Sequence, residues 1–199
     1  MNAPTAVDLD AVYPTPGLVD RLRDLQRREA PELAAELDRA VVDVDRHLDA
    51  LGRALGTVAG GRFGWSQLDP WVRLQILDVW VRWGRGEVAT CRHRPDPRTP
   101  TPVVVGLWRP DLVSCLVCGP GLLRLTGDAD ATCDGCGKVT RGPDVGDGIH
   151  PCAVTFGPIL VQWGACRDCR PTWADRTPSS RSTSGKPRKP RARRGKPRR

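Results

Sequence analysis

Residues 115–137, CLVCGPGLLRLTGDADATCDGCG, hold two Cys-x-x-Cys pairs, Cys115/Cys118 and Cys133/Cys136, separated by residues 119–132. Two residues between thiols let one tight turn aim both sulfurs at a single ion, and two such turns supply the four ligands of a tetrahedral zinc. The intervening segment is long enough for an outgoing and a returning strand. Gly119 and Gly137 each follow the second cysteine of a pair, where a positive φ closes such a knuckle. The stretch therefore predicts one closed four-thiolate site, Cys115, Cys118, Cys133 and Cys136, stapling a hairpin.

Working outward, residues 87–173 hold all eight cysteines, strand-like runs at Val103–Trp108, Leu122–Thr126 and Ile159–Trp163, and frequent Gly and Pro turn signals. This is the composition of a small β-rich domain built around metal. A third pair, Cys166/Cys169, needs partners, and two sets are available: Cys91 with His93, or His150 with Cys152. The preferred second site is Cys91, His93, Cys166 and Cys169, because one segment enters the hairpin and the other leaves it, so the first site would nest inside. His150 and Cys152 remain alternative ligands, and a chain with no second metal is the remaining reading. The expectation is two zinc ions.

The pattern Cys115-x-x-Cys118-Gly119 with Cys133-x-x-Cys136-Gly137 resembles the zinc-ribbon superfamily over about 25 residues. The resemblance implies a metal-stapled hairpin and no single activity. A looser likeness to uncharacterised actinobacterial and phage-borne proteins spans Cys91-x-His93-Arg-Pro-Asp-Pro, Trp108-Arg-Pro-Asp111 and Gly164-x-Cys166-x-x-Cys169. It adds weight to the ligand set and nothing to mechanism. The richness in Arg, Ala, Gly, Pro and Asp points the same way, to a GC-rich bacterial genome.

Upstream, residues 1–16 carry Pro4, Pro14 and Pro16 and read as an irregular lead. Residues 17–86 read as a helical region with helices over about 17–29, 31–56 and 70–83. Leu18, Leu22 and Leu25 mark the first helix. Ala34, Leu37, Val41, Val44, Leu48, Leu51 and Leu55 form an unbroken heptad stripe on the second. Either the first helix folds back over this stripe as a hairpin, or a second chain or partner helix covers it as a coiled coil. Gly56 and Gly60–Gly61 end that helix. Asp69 and Pro70 then cap a third, whose tryptophans and valines lie on most sides and predict burial. Base stacking by these tryptophans would need exposed rings. The whole is an α+β chain.

The formal charge is +8, yet residues 175–199 hold eleven Lys or Arg and one Asp, leaving 20 basic and 22 acidic residues before them. The body is thus −2 and the tail +10. Residues 174–199 have no large hydrophobe beyond the start and a composition of Pro, Ser, Gly, Lys and Arg, which predicts disorder. Proline keeps such a segment extended, so Arg181, Lys186, Arg188, Lys189, Arg191, Arg193, Arg194, Lys196, Arg198 and Arg199 are candidate contacts for the phosphates of DNA or RNA. The first residues lack a basic start and an apolar core, and no run is long enough to span a bilayer. A cytoplasmic protein without membrane contact is expected, where reduced thiols serve as ligands before disulfides.

No zinc-protease, Walker or nucleophile-elbow motif is present, and no His-x-Glu accompanies a Pro-Cys-x-x-Cys. Asp144 and Asp147 beside His150 read as a solvated acidic loop. The sequence therefore favours a non-enzymatic, zinc-stabilised, nucleic-acid-associated protein. An adaptor for another protein and a metalloenzyme or thiol redox protein are the alternatives.

Overall fold

A computed structural model describes residues 4–54, 65–141 and 148–171. It is an α+β fold: a five-stranded mixed sheet with helices on both faces. The expected break at Gly56–Gly61, the Asp144/Asp147 loop and the basic tail lie outside the described residues.

The lead is not irregular. Helix α1, Ala6–Val12, starts at a capping box in which Thr5 and Asp8 satisfy each other's backbone N–H groups. Asp10 on α1 accepts from Arg73 at 2.9 Å and from Trp65 Nε1 at 3.0 Å, which docks the helix on α4, Pro70–Gly84. Tyr13, Trp65 and Phe156 then pack together, with ring centroids 4.5–5.5 Å apart. The prolines obscured a helix that Thr5-x-x-Asp8 announced.

Helices α2, Leu18–Glu29, and α3, Pro31–Ala54, meet the predicted bounds as far as the structure describes them. The two helices fold back on each other as the expected hairpin, but α2 does not cover the whole α3 stripe. The lower part of the α3 stripe is taken up by the sheet: Val44 is fully buried, and Leu48 and Leu51 pack on Val104, Leu112 and Leu160. Helix α2 has no buried residue, and Leu22 and Leu25 are left 55% and 46% exposed. The lower part of the heptad stripe, Val44, Leu48 and Leu51, thus serves a sheet face within the chain.

Five strands complete the fold: β1 (Ala89–Thr90), β2 (Val103–Gly106), β3 (Leu112–Cys115), β4 (His150–Phe156) and β5 (Ile159–Ala165), in the order β1-β3-β2-β5-β4. The run Leu122–Thr126 is not a strand, because Leu122 ends a short helix α5, Gly119–Leu122. Period-two alternation sorts the side chains. Val103, Val105, Val113, Val154, Ile159, Val161 and Trp163 meet Val72, Ile76, Val79 and Trp83 of α4 on one face. Val104, Leu112 and Leu160 meet α3 on the other. Each such fully buried large aliphatic contributes about 1.5–3 kcal/mol. Helix α4 is apolar nearly all round because the sheet lies on one side and α1 on another. The helical region and the cysteine-bearing region therefore share both cores and are not separate units. Trp83 and Trp163 are buried, and Trp65, Trp71, Trp80 and Trp108 pack partly buried against the cores, as the packing reading expected.

Strand direction determines which strand ends share a side of the sheet. β1 runs parallel to β3, β3 antiparallel to β2, and β2 parallel to β5. The C-terminal ends of β1 and β3 therefore lie together at one end of the sheet. The C-terminal end of β5 lies at the opposite end.

Candidate metal centres

Cysteines stand directly after or at the ends of three of these strands. Cys91 follows β1 and Cys115 ends β3, so the parallel pairing of Ala89 with Leu112 and Thr90 with Val113 carries both to the same place. There they meet His93 and Cys118, with all four ligand atoms within 4.8 Å of one another. His93 Nδ1 lies 3.3 Å from both Cys115 Sγ and Cys118 Sγ. Cys166 follows β5 at the other end. It meets Cys169, Cys133 and Cys136 in a second cluster of the same tightness, with Cys136 Sγ 3.9 Å from Cys166 Sγ.

These distances suit one ion. Zinc–sulfur bonds of about 2.3 Å and zinc–nitrogen bonds of about 2.0–2.1 Å at tetrahedral angles require S···S near 3.8 Å and S···N near 3.6 Å. The donor sets, three thiolates with one imidazole and four thiolates, are those of structural zinc. The two clusters fit two zinc ions, Cys91/His93/Cys115/Cys118 and Cys133/Cys136/Cys166/Cys169.

All eight ligands predicted from the spacing are used, but the predicted halves are exchanged. Cys115 and Cys118 do not join Cys133 and Cys136, and Cys91 and His93 do not join Cys166 and Cys169. The reason is topological. Residues 119–132 do not turn back as a hairpin; they run through α5 and a 3₁₀ turn at Gly127–Ala129 towards the opposite end of the sheet. No ribbon hairpin forms between the two pairs. His150 and Cys152 join neither cluster. His150 Nδ1 faces the Arg170 guanidinium at 3.4 Å. Cys152 points into the α4-side core, and burial pushes its thiol up to about 12, which keeps it protonated and inert.

One buried cysteine in each cluster, Cys91 in the first and Cys133 in the second, is poised as a thiolate. Burial alone would raise the Cys91 thiol, but backbone N–H groups of Cys115 and His93 outweigh it and hold the thiol near about 6. The Cys115 N–H donates to Cys91 Sγ at 3.4 Å. Burial likewise opposes ionisation of Cys133, and the backbone N–H groups of Cys166, Cys136 and Gly135 bring it to about 7. Such N–H···S bonds orient a ligand and neutralise part of its charge.

The turns are built for close approach. Gly137 has φ 72, as expected of a knuckle glycine, and its N–H donates to Cys133 O at 2.8 Å. Gly119 does not adopt a positive φ. It opens α5, and a Cβ there would strike the Val104 side chain. In the first cluster the left-handed residue is Arg94, φ 47, directly after His93, and its N–H donates to Cys91 O at 2.8 Å.

Three residues to which the sequence assigned no role at the metal support the second cluster. Asp134, between Cys133 and Cys136, donates its N–H to Gly164 O at 2.9 Å and accepts the Gly164 N–H on Oδ2 at 2.6 Å. β2 pairs with β5 only as far as Gln162, so this knuckle continues the sheet beside β5. Gly164 has no room for a Cβ, which would sit 2.6 Å from the Ile149 side chain. Trp71 lies beside the same knuckle, 3.3 Å from where a Gly135 Cβ would stand. An aspartate inside Cys-x-x-Cys was the available signal for the first of these.

Comparison of the chain with protein-family models, with curated proteins and with solved structures gives no match.

Proposed function

We propose that this is a non-enzymatic, zinc-stabilised protein that associates with nucleic acid through its C-terminal tail. The observation that carries this reading is the segregation of charge: +10 over residues 175–199 against −2 over the rest. Lys186-Pro187-Arg188, Lys189-Pro190-Arg191 and Lys196-Pro197-Arg198 repeat a cation at a spacing that an extended chain can lay along a phosphate backbone. The two metal clusters support a structural role, since four protein ligands complete a tetrahedral ion and leave no position for a reacting water. They sit at opposite ends of the sheet, the first joining the ends of the short strands β1 and β3 and the second tying the end of β5 to the Cys133–Cys136 knuckle. No helix among the described residues is long and apolar enough to cross a membrane.

If about eight tail charges meet phosphates, the logarithm of the binding constant falls with the logarithm of salt at a slope of about −6 to −7. The test compares the full chain with residues 1–174 on double-stranded DNA, single-stranded DNA and RNA across a salt series. The full chain should show that slope and the truncated chain should lose it. Equal binding by both would reject the tail, and binding by neither would favour an adaptor whose target is another protein.

A further inference from the structure

The two metal centres differ in charge. Zinc held by three thiolates and an imidazole carries −1, and zinc held by four thiolates carries −2. The residues between the ligands, and the residue after each pair, then set the sign of each surface. At the first centre these include Arg92 and Arg94 and no carboxylate, which brings the total to +1. At the second they are Asp134, Asp168, Arg167 and Arg170, which cancel and leave −2. Of the two centres only the first therefore offers an anion a net attraction, on a body that is −2 as a whole.

Arg92 and Arg94 are also held ready. They alternate with the ligands Cys91 and His93, and both are exposed. Neither forms an ion pair among the described residues. The Arg94 N–H donates to Cys91 O at 2.8 Å, and the next residue, Pro95, is buried, with its carbonyl accepting from Trp83 Nε1 at 3.2 Å. The backbone beneath the two guanidiniums is thus fastened to the metal on one side and to α4 on the other. An arginine on such a base loses less freedom on meeting a phosphate than one in an extended tail.

The facing turn supplies a different contact. Val117, between Cys115 and Cys118, is 84% exposed, more than any other large apolar side chain among the described residues. His93 Nδ1 lies 3.3 Å from both of those sulfurs, so the Val117 turn and the Arg92–Arg94 turn stand side by side. A protruding apolar side chain beside two guanidiniums matches an unpaired nucleotide, which presents the flat apolar face of its base next to its phosphate. In a duplex those faces are stacked on neighbouring pairs and out of reach.

We infer that the first metal centre is a second nucleic-acid contact, in which Arg92 and Arg94 hold the phosphates of a single strand and Val117 packs on a base. This contact presupposes the nucleic-acid association proposed for the tail and adds to it: the tail supplies attraction without choice, and the body selects single strands.

The experiment follows fluorescence anisotropy of labelled single-stranded RNA, single-stranded DNA and duplex DNA with the full, zinc-loaded chain across a salt series. Arg92→Gln/Arg94→Gln should flatten the single-strand salt slope by about 1.4 and weaken binding about 25-fold at about 0.1 M salt, at about 0.7 per lost phosphate contact. Arg92→Lys/Arg94→Lys should keep the slope, because the charges remain. Val117→Ser should weaken single-strand binding about 5-fold, with the slope and the duplex affinity unchanged. Arg167→Gln, at the second centre, should be near neutral. All these side chains are exposed, so zinc content and circular dichroism should match the parent. A Gln pair that binds like the parent or loses zinc, or a Val117→Ser change that is silent or equal on single strand and duplex, would overturn the inference even where deleting residues 175–199 abolishes binding. Deletion without effect, with the Arg and Val substitutions acting as stated, would reject the tail and sustain the metal-centre contact. Absence of any nucleic-acid binding by the full chain would reject both.

Discussion

Two double substitutions separate the observed ligand arrangement from the ribbon-like one. Cys91→Ala/Cys118→Ala removes two ligands from one cluster and leaves the Cys133 cluster whole. Cys118→Ala/Cys133→Ala removes one ligand from each. The first variant should keep one tightly held zinc per chain and the second should keep none. Under the alternative pairing the outcomes exchange places. The stability change can be estimated from the chain itself. The first cluster ties Cys91 to Cys115, 24 residues apart, and the second ties Cys136 to Cys166, 30 residues apart. Loop-closure entropy for loops of that length gives about 3.5 kcal/mol for each tie at 25 °C. That is a large part of a typical stability of about 5–15 kcal/mol. The first variant should therefore melt about 7–14 °C below the parent, at about 2–4 °C per kcal/mol for a domain this size. The clusters are at opposite ends of the sheet, so their losses should add, and the second variant should lose about twice as much. Zinc is counted by mass spectrometry after gel filtration with a mild chelator, and melting is followed by circular dichroism. One zinc retained by Cys118→Ala/Cys133→Ala, with none tightly held by Cys91→Ala/Cys118→Ala, would refute the strand-direction argument.

Other outcomes concern single sites. Asp10→Asn should cost about 2 kcal/mol at neutral pH, since it breaks charge-assisted bonds to Arg73 and one to Trp65. The Arg73 hydrogen bond holds the Asp10 carboxyl below its ordinary 3.8. Its stabilisation is therefore complete above that value and is lost as pH falls through the lower folded value; a cost that stays constant down to strongly acidic pH would contradict this. Gly119→Ala should destabilise by about 1–3 kcal/mol through overlap with Val104, whereas Gly121→Ala, which meets nothing within 4 Å, should be near neutral; denaturant melts that rank them the other way would be inconsistent with this packing. Cys152 should resist alkylation in the folded, zinc-loaded chain, and Cys152→Ala should still bind two zinc ions. Loss of a metal in that variant would return Cys152 to the ligand set.

Much of this was legible in the sequence, and the part that was not has a definite physical origin. Local signals act over a few residues. Cys-x-x-Cys and Cys-x-His spacings marked the eight ligands, Asp69-Pro70 marked the start of α4, and the all-round apolar pattern of α4 marked its burial. Pairing of the ligands depends on whether β1 and β3 run parallel and whether β5 opposes β3, and no residue within either knuckle encodes that. The same limit explains α3. Its seven-residue stripe is compatible with a helix, a second chain or a sheet as its cover, and only the placement of Val104, Leu112 and Leu160 decides among them for its lower part. The first helix was missed for a different reason, since three prolines outweighed a capping signal only four residues long.

The order of the ligands along the chain bears on how the protein is made. The first cluster is complete at Cys118, and the second takes all its ligands from Cys133 onward. A nested arrangement would have left Cys91 and His93 waiting for Cys169. Instead, at about 5–20 residues per second of synthesis, the first four ligands are all available roughly 3–10 s before the last cysteine emerges. A growing chain can therefore load and lock one end of its sheet while the other end is still being translated. The thiols of the unfinished molecule are then never all unprotected together.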